Sequence, residues 1–312
     1  MTEPMMEYLL GFDVGGTKCA AVLGRRNGDG LEIVGRTAFA TAEFREPGRC
    51  ISRFTEAMRE LLARHGVASC SGLGISCGGP LDAERGVVLS PPNLPGWDEV
   101  PVVDLLSREF GCPARLCNDA DACAVAEWRF GAGRGCRNLI FLTFGTGLGA
   151  GLILNGALYQ GANGMAGECG HIRLAPDGPE GYGKRGSFEG FCSGGGLRQL
   201  AEAAFPGRGM DAKRLAQAAD AGDETALGVW RECGKRLGEG LAVLIDLLNP
   251  ERIVLGSIFA RAGHLLVPAM RETLAREALP RSLSVCRILP AELGDAIGDY
   301  ACLAVAPTPA AD

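Results

Sequence analysis

Short apolar runs that end at glycines alternate along the first half of the chain with segments of helical hydrophobic spacing. Residues 49–66 place apolar side chains at helical spacing before a glycine, which predicts a helix. The neighbouring segments are predicted as the strands EYLLGFDVGGT, KCAAVLG, LEIVGRTAFAT, GLGISCGG and PARLCND and the helices VVDLLSREFG and DACAVAEWRFGAG.

The second half follows a similar pattern. Residues 139–159 carry no charge and resemble a membrane span, but the glycines at every second position from Gly145 to Gly151 would break a helix. We therefore predict strand, glycine turn and strand there, followed by a loop-rich region to about residue 196. The later segments are predicted as the helices GGLRQLAEAAF, KRLAQAADAG, ETALGVWRECGKRLGEGLAVLIDLLN and AGHLLVPAMRETLARE, the strands RIVLGS and LSVCRILPA, and the closing helix DAIGDYACLAVA.

This order predicts two α/β domains with mixed sheets and a cleft between them, which also suits a length of 312 residues. We place the first domain at residues 1–117 together with the closing helix at about 298–312, and the second at residues 118–297.

Composition and charge exclude several classes of protein. A net charge of −6 gives no electrostatic footprint for nucleic acid. The 13 cysteines include no CxxC pair and mostly lie in apolar runs, which indicates buried thiols in a reducing compartment. The start, MTEPMMEYLLGFD, carries acids where a signal peptide needs basic residues. We expect a cytoplasmic protein that binds neither nucleic acid nor membrane.

Two glycine turns, one in each half, follow predicted strands. The residues of interest are Asp13, Gly15, Gly16, Thr17 and Lys18 in FDVGGTK, and Thr143, Gly145, Thr146 and Gly147 in LTFGTGLGAG. Exposed backbone N–H groups, hydroxyls and a lysine can neutralise phosphate oxygens, and Asp13 can reach a Mg²⁺ ion through water. Either turn alone also fits an ordinary hairpin. The pair predicts two lobes that close on a triphosphate.

Further polar residues stand at predicted turns. Asn118 and Asp119 end a strand where a helix begins; Asp119 could be a simple helix cap, or in a cleft it could accept a hydroxyl proton during phosphoryl transfer. Glu168 and His171 are three residues apart between glycines and could point into one cavity, although a lone histidine is more often structural. The GISCG segment matches a hydrolase nucleophile elbow, but no helix is predicted after Ser76, which argues against an esterase.

Seven motifs occur in order along nearly the whole chain: DVGGTK (13–18), SCGGPLD (76–82), PPNLPGW (91–97), ND (118–119), EWRFGAGRG (127–135), TFGTGLGAG (143–151) and ECGH (168–171). Together they resemble the ROK (repressor, ORF, kinase) family, the glucokinase-like branch of the hexokinase superfold. The resemblance implies an actin-like, ribonuclease-H-like α/β fold of two domains, with mixed sheets flanked by helices and an interdomain cleft.

The resemblance also implies an activity and a set of roles. The expected enzyme is an ATP-dependent and Mg²⁺-dependent kinase that phosphorylates a hexose, usually on the 6-hydroxyl, and relatives of this kind are often homodimers. Asp119 matches the catalytic base, and the two glycine turns match the phosphate-binding loops. The residues that match sugar contacts are Gly79, Asn93, Asn118, Glu168, His171 and Glu189. Gly256 matches the adenosine motif, but Ser257 stands where the family usually has a second glycine, which puts nucleotide contacts there in doubt.

One segment departs from the family. Members commonly carry C-x-C-G-x-x-G-C-x-E, whose three cysteines bind a structural zinc ion together with the histidine of the GH pair. This chain has Glu180, Tyr182 and Ser187 at the cysteine positions. Because a zinc site needs about four N or S ligands, we predict no zinc. We expect the Tyr182 or Ser187 hydroxyl, or Glu180, to hold the ring of His171 by a hydrogen bond instead.

Two kinds of alternative to a glucose kinase remain: a kinase for another sugar, and a protein of another functional class. Glucose is the default sugar, with N-acetylated hexosamines (as for an N-acetylmannosamine kinase) and fructose (as for a fructokinase) as competitors. From another class come a sugar-responsive repressor and a non-catalytic sugar sensor. Repressors of the family carry an additional N-terminal helix-turn-helix, whereas the first strand here is predicted at about residue 8. An Asp119→Asn exchange separates a sensor from a kinase.

Overall fold

The computed structural model describes residues 7–307, so the outer ends of the predicted domains, residues 1–6 and 308–312, lie outside the described part. The chain divides into two compact units. Within the described residues, unit 1 comprises 7–131, 161–164 and 295–307, and unit 2 comprises 132–160 and 165–294. The division falls after residue 131 instead of at the predicted residue 118, because the helix that follows Asn118 packs on the closing helix of unit 1.

The secondary structure confirms the predicted α/β class. In chain order the strands are β1 (Glu7–Val14), β2 (Lys18–Asn27), β3 (Gly30–Ala40), β4 (Gly72–Cys77), β5 (Leu81–Asp82), β6 (Val87–Val88), β7 (Ala114–Asn118), β8 (Leu139–Leu142), β9 (Ala150–Leu154), β10 (Ala157–Leu158), β11 (Glu180–Gly181), β12 (Lys184–Arg185), β13 (Arg252–Leu255) and β14 (Arg287–Pro290). The helices are α1 (Pro47–His65), α2 (Val102–Phe110), α3 (Asp119–Phe130), α4 (Phe188–Phe191), α5 (Gly194–Ala204), α6 (Ala212–Asp220), α7 (Glu224–Leu248), α8 (Ile258–Glu277), α9 (Pro280–Val285) and α10 (Ile297–Ala304).

Each unit is built on a mixed five-stranded sheet of the same topology. The strand order is β3-β2-β1-β4-β7 in unit 1 and β10-β9-β8-β13-β14 in unit 2. In both sheets the first three strands of the unit are antiparallel neighbours, and the first strand also pairs in parallel with the fourth. The parallel strands therefore end at one common edge of each sheet, which is where ligands bind in open α/β sheets.

The two faces of the unit 1 sheet bury different helices. On β1, Leu10, Phe12 and Val14 face the core formed with α1 and α2, and Phe12 stacks on Phe54 with ring centroids 3.9 Å apart. Leu9 faces the opposite way, toward α10. Because side chains alternate along a strand, Gly11 and Asp13 lie on this second face with Leu9. The strand thus delivers an aspartate to the side on which α10 packs.

Glycines let α10 approach this face closely. A Cβ atom at Gly11 would lie 2.4 Å from the Cys302 sulfur, and one at Gly74 would lie 1.9 Å from the Cys302 carbonyl oxygen. Any larger residue would push α10 away from the sheet. Asp13 is then directly beside the start of α10, where a Cβ atom at Gly298 would lie 2.9 Å from Asp13 Oδ2.

The core of unit 2 is built around the long helix α7. Trp230, Leu237 and Leu241 on α7 are fully buried, and α7 packs along α8. A Cβ atom at Gly234 would lie 2.6 Å from the Leu266 carbonyl oxygen, so a glycine is required where the two helices approach each other. This layer of helices covers the sheet that carries the glycine turn of unit 2.

The uncharged segment 139–159 forms strands, as predicted, with β8 and β9 joined by the glycine turn and β10 completing the meander. Among the described residues, no helix combines the length and the apolar character that crossing a membrane requires. The prediction of strand, glycine turn and strand is confirmed.

The prediction of one strand was wrong for its first half. LSVCRILPA was predicted as a strand, but residues up to Val285 belong to α9 and only Arg287–Pro290 pair with β13. Pro280 occupies the first helical position, where its fixed φ favours a helical turn, and this local signal outweighs the β-branched run. Helix α8 also begins four residues before the predicted Ala262, where the backbone kinks.

We expect Gly74→Ala to lower the free energy of unfolding by about 1–3 kcal/mol, because the added methyl group collides with the backbone of α10. Gly228→Ala is the matched control: apart from the adjacent backbone of α7, no atom lies within 4 Å of its Cβ position, so helix propensity predicts a gain of about 0.5–1 kcal/mol. Urea denaturation of both variants checks this. Equal stability of the Gly74→Ala variant and the wild type would contradict the close approach of α10.

Candidate functional site

The parallel strands of unit 1 bring three predicted segments to one edge. Asp13 at the end of β1 pairs with Ser76 on β4, and Cys77 on β4 pairs with Asn118 at the end of β7. The turn after β4 lies beside the start of α3: a Cβ atom at Gly79 would lie 3.4 Å from Asn118 Nδ2. The sheet thus places the predicted Asp13, Gly79, Asn118 and Asp119 side by side.

The first glycine turn has a fixed backbone. The Gly15 amide donates to the Lys18 carbonyl at 3.2 Å, and the Thr41 hydroxyl donates to the Gly15 carbonyl at 2.7 Å. A Cβ atom at Gly16 would lie 2.6 Å from the Cβ atom of Asn93, so the turn packs on the loop that carries this predicted sugar contact. Gly16, Thr17 and Lys18 are exposed to solvent. These three residues of the turn are therefore accessible to an anion such as a phosphate.

Asn118, and not Asp119, is the N-cap of α3. The Ala120 amide donates to Asn118 Oδ1 at 3.0 Å and also to Asp119 Oδ1 at 2.9 Å. The second oxygen of Asp119 faces the Gly78 side, where a Cβ atom would be 3.9 Å away. The side chain is accessible to solvent, yet desolvation by the surrounding protein raises the pKa of Asp119 against the lowering effect of its backbone hydrogen bonds. An accessible carboxylate of raised pKa is suited to accept a proton.

Asp13 has a strongly raised pKa. Desolvation, followed by the charges of Asp299 and Asp119, raises the pKa of Asp13 from 3.8 to about 6, while Lys18 and Arg36 act in the opposite direction. Three carboxylates thus crowd this edge of the sheet. Within residues 7–307, the one close cationic partner belongs to Asp299, which accepts a hydrogen bond from Arg36 Nε at 2.8 Å. The remaining negative charge fits a hard divalent cation bound through carboxylate and water oxygens.

The sequence reading missed Asp299 and Arg36. Asp299 lies in the first turn of α10 and Arg36 on β3, so the pair joins the closing helix to an edge strand at 2.8 Å beside Asp13. An available signal was the acid directly after a glycine in DAIGDY, at the start of the closing helix.

The second glycine turn is fixed from within and from α5. Thr143 Oγ1 accepts a hydrogen bond from the Gly149 amide at 2.9 Å, and the Gly145 amide donates to the Gly147 carbonyl at 3.0 Å. The Gly194 amide at the start of α5 donates to the Gly145 carbonyl at 2.7 Å, and the next amide donates to the Thr146 carbonyl at 3.3 Å. The helix N-terminus therefore binds the carbonyl side of the turn.

Gly256 lies beside this turn at the end of β13. A Cβ atom there would lie 3.0 Å from the Thr143 carbonyl oxygen, so the predicted glycine is needed for the close approach. Ser257 has φ 44° and ψ −98°, a conformation that favours glycine. The serine that departs from the family pattern therefore carries backbone strain next to the glycine turn.

Glu168, His171 and Glu189 are brought together in unit 2. A short 3-10 turn, Cys169–His171, follows Glu168, and a Cβ atom at its Gly170 would lie 3.3 Å from the Cβ atom of Glu189. Glu168 and His171 are exposed. Glu189 is half-buried, and its Oε2 atom accepts a hydrogen bond from the Leu148 amide at 3.0 Å, which links it to the second glycine turn near Gly147. One hydrogen bond thus joins Glu189, a predicted sugar contact, to the residue that follows the predicted phosphate loop.

The residues at the three cysteine positions do not fit zinc. The Ser187 hydroxyl caps α4 by accepting from the Gly190 amide at 3.0 Å, Tyr182 is 75% exposed at a hairpin turn, and Glu180 uses its backbone to bind Gln199. Within residues 7–307, no group of three or more His, Cys, Asp and Glu side chains is placed to hold a metal ion. A hydroxyl, a phenol and one carboxylate are also a poor donor set for Zn²⁺.

The expected hydrogen bond to the ring of His171 is not formed in the described part of the chain, so this expectation was wrong. The Ser187 hydroxyl is engaged by the Gly190 amide. Glu180 is bound to Gln199 through its backbone, and Tyr182 is 75% exposed. The contact that does reach this residue is to its backbone: Lys184 Nζ donates to the His171 carbonyl oxygen at 2.6 Å.

The hydrolase-like GISCG segment is a buried strand. Ser76 is 1% exposed inside β4, and β5 follows the turn in place of a helix. Because a nucleophile elbow must present its serine at a sharp strand-to-helix turn, the argument against an esterase is confirmed.

Three relatives are similar in sequence to this chain over most of its length. The glucokinase of Halalkalibacterium halodurans is 32% identical over 93% of this chain and 92% of its own length. The bifunctional enzyme NanE/NanK of Brucella melitensis is 33% identical over 92% of this chain and 51% of its own length. The xylose repressor of Caldicellulosiruptor bescii is 30% identical over 75% of this chain and 62% of its own length.

Two solved structures of ROK family proteins are similar to this chain in fold and in sequence. The ROK hexokinase from Thermus thermophilus superimposes with a TM-score of 0.81 at 30% identity, over 95% of this chain and 97% of that one. A ROK family glucokinase from Streptomyces griseus, in complex with glucose and AMPPNP, gives a TM-score of 0.77 at 30% identity, over 97% and 99% of the two chains. The ROK family model matches residues 9–307. The chain therefore belongs to the ROK family.

Proposed function

We propose that this protein transfers the γ-phosphoryl group of ATP to a hexose, with glucose as the first candidate and the 6-hydroxyl as the acceptor. The observation that carries the proposal is the accessible Asp119 carboxylate of raised pKa, held beside Asp13 and the first glycine turn. The predicted enzyme class, an ATP-dependent sugar kinase, is confirmed by the glucokinase relatives and the ROK glucokinase structure.

In this mechanism Asp119 orients the acceptor hydroxyl and takes its proton. A sugar hydroxyl is barely acidic, so the proton leaves late, as the oxygen bonds to phosphorus. The hydrogen bond from Ala120 fixes one oxygen of Asp119, which leaves Oδ2 to receive the proton. Asn118 and Gly79 stand next to it and support its role by contacting the sugar.

The nucleotide binds as its magnesium complex, and the cation offsets phosphate charge during transfer. Asp13 would hold the cation through water, while Lys18 and the Gly16 amide would contact phosphate oxygens. Gly15, whose amide donates to the Lys18 carbonyl, would shape the turn. The turn at Thr143–Gly147 and Gly256 supply the corresponding nucleotide contacts from unit 2. The charge balance around Asp13 supports this assignment, because an ionised Asp13 lacks a close cationic partner among the described side chains.

Glu168, His171 and Glu189 are proposed to bind the sugar hydroxyls. Their grouping around the Cys169–His171 turn supports this role. The choice of hexose stays open, and an N-acetylated hexosamine, one of the competitors expected from the sequence, is the second candidate. The predicted homodimer stays a prediction.

A non-catalytic sugar sensor is the alternative from another class, and the similar xylose repressor is the observation that favours it. A sensor needs sugar contacts but no proton acceptor. The accessible Asp119 carboxylate, next to the crowded charge of Asp13, favours the kinase.

We expect Asp119→Asn to lower kcat for sugar phosphorylation by about 10²–10⁴-fold, because the amide keeps the bond from Ala120 but accepts no proton. Sugar affinity should change little. Coupled ADP release over a panel of hexoses and hexosamines, with calorimetry of sugar binding, measures both. Asp104→Asn, which removes an exposed carboxylate on α2, is the control. Undiminished turnover in the Asp119 variant would overturn the assignment.

We expect Asp13→Asn to raise the stability of the protein and to lower its activity. The pKa of Asp13 is about 6 in the folded state, above its unfolded value of 3.8, so the stability given by the protonated carboxyl is complete below pH 3.8 and lost as the pH rises through 6. An amide avoids this loss, so the free energy of unfolding of the variant should exceed that of the wild type by about 2–3 kcal/mol at pH 7.5 and by only about 0.5 kcal/mol at pH 4. Its kcat should fall on the order of 100-fold.

Denaturation at several pH values and steady-state kinetics check the Asp13 prediction. A stability difference that is the same at pH 4 and pH 7.5 would show that Asp13 is not held in a charge-disfavouring environment.

A further inference from the structure

The hairpin formed by residues 180–185 lies against the proposed sugar-binding residues of unit 2. β11 and β12 pair through Gly181 and Lys184, and the two-residue turn has positive φ at both Tyr182 (45°) and Gly183 (72°). Positive φ at both positions is the geometry of a tight hairpin turn. A Cβ atom at Gly181 would lie 2.5 Å from the Gly190 amide nitrogen, so the hairpin rests directly on the backbone that follows Glu189.

One end of this hairpin is bound to α5. The Glu180 amide donates to Gln199 Oε1 at 2.9 Å, and Gln199 Nε2 donates back to the Glu180 carbonyl at 2.8 Å. The paired bonds act like a rung of a β-ladder between a helix side chain and a strand. They fix the first strand of the hairpin to a helix whose N-terminus already binds the second glycine turn.

The other strand is bound to the segment around His171. Lys184 Nζ donates to the His171 carbonyl at 2.6 Å, and Arg173 Nη1 donates to the Arg185 carbonyl at 2.7 Å. The Phe188 amide adds a bond to the Ile172 carbonyl at 2.8 Å. Lys184 is half-buried, whereas the Arg185–Asp177 ion pair nearby is exposed on both sides and contributes little. Lys184 is therefore the charged group that acts on the His171 carbonyl.

Resting on the proposed function, we propose that Lys184 is a positioning residue for sugar recognition: it anchors the Cys169–His171 turn to the 180–185 hairpin, without a metal ion. A charged donor to a carbonyl at the end of a short turn holds the backbone on which the imidazole stands. Of the three residues at the positions where the family pattern has cysteines, Ser187 caps α4, Glu180 binds Gln199 through its backbone, and Tyr182 is exposed. The hairpin thus replaces metal coordination by hydrogen bonds on both of its strands.

Lys184→Met tests this role, because methionine keeps the apolar stem and removes the donor. Amide hydrogen exchange is measured first, with neither sugar nor nucleotide present. We expect residues 168–188 to exchange about tenfold faster than in the wild type. Lys184→Arg, which keeps a cationic donor, should restore protection to within about twofold. Lys213→Met, an exposed lysine of α6, is the matched control and should change nothing.

Kinetics then test the consequence for the sugar. In Lys184→Met the KM for the sugar should rise about tenfold, with kcat and the KM for ATP changed less than about twofold. Unchanged hydrogen exchange overturns the anchor, and faster exchange with an unchanged sugar KM overturns the positioning role. One equivalent of zinc in the purified protein, together with loss of protection after treatment with a chelator, overturns the metal-free account.

Failure of the proposed function gives a different pattern. If the wild type neither phosphorylates nor binds any hexose of the panel, the kinase proposal fails, and with it the positioning role in sugar recognition. The exchange experiment without ligand still decides whether Lys184 anchors the turn.

Discussion

The crowding of carboxylates at one edge of the unit 1 sheet is the constraint from which the site follows. Asp13 lies near Asp119 and Asp299 and is half-buried, and its pKa of about 6 expresses the cost of ionising it there. The close packing of α10 on Gly11 and Gly74 contributes to this cost, because it brings Asp299 near Asp13. A cation carried by the nucleotide would relieve the same repulsion. The site is thus least stable in the state that is ready to bind its substrate.

Repetition of one topology explains why both units carry a glycine turn. In each sheet the first strand pairs in parallel with the fourth, and its end opens into a turn at the edge shared by the parallel strands. The turns are secured differently. Thr41 fixes the turn after β1 through the Gly15 carbonyl, and the start of α5 fixes the turn after β8 through the Gly145 carbonyl. Only the first turn is followed by a lysine, which suits it to phosphate charge.

Much of the fold could be predicted because its signals are local. The uncharged strands around Gly145 and the helix that ends at Gly66 follow from periodicity and glycine positions. Where two local signals competed, the prediction failed: the helix that begins at Pro280 extends into the run LSVCRILPA, which was predicted as a strand. The approach of α10 through Gly11 and Gly74 depends on tertiary contact, which periodicity does not contain.

The residues of the candidate site could be predicted from the sequence, but the hydrogen bonds and the ion pair that hold them could not. Asp13, Asp119, Glu168, His171 and Glu189 stand in short motifs, so the sequence singled them out.

The supporting contacts could not be predicted from the sequence, because they join positions far apart in the chain or involve residue types that are common. Arg36 and Asp299 are 263 residues apart, and Lys184 contacts a backbone atom that any residue would provide. The cysteine positions at 180, 182 and 187 showed what is missing from the family pattern. Only the contacts show that Lys184 joins the hairpin to the His171 carbonyl and that Gln199 joins it to α5.

Phosphorus NMR of the purified protein with magnesium, ATP and glucose tests the central claim most directly, because it follows the transferred phosphorus itself. The account predicts one sugar phosphomonoester for each ADP formed, with the phosphorus coupled to the protons on carbon 6. An N-acetylated hexosamine in place of glucose would give the same pattern if it is the true acceptor. Formation of ADP with inorganic phosphate alone, or no loss of ATP with any sugar of the panel, would contradict it.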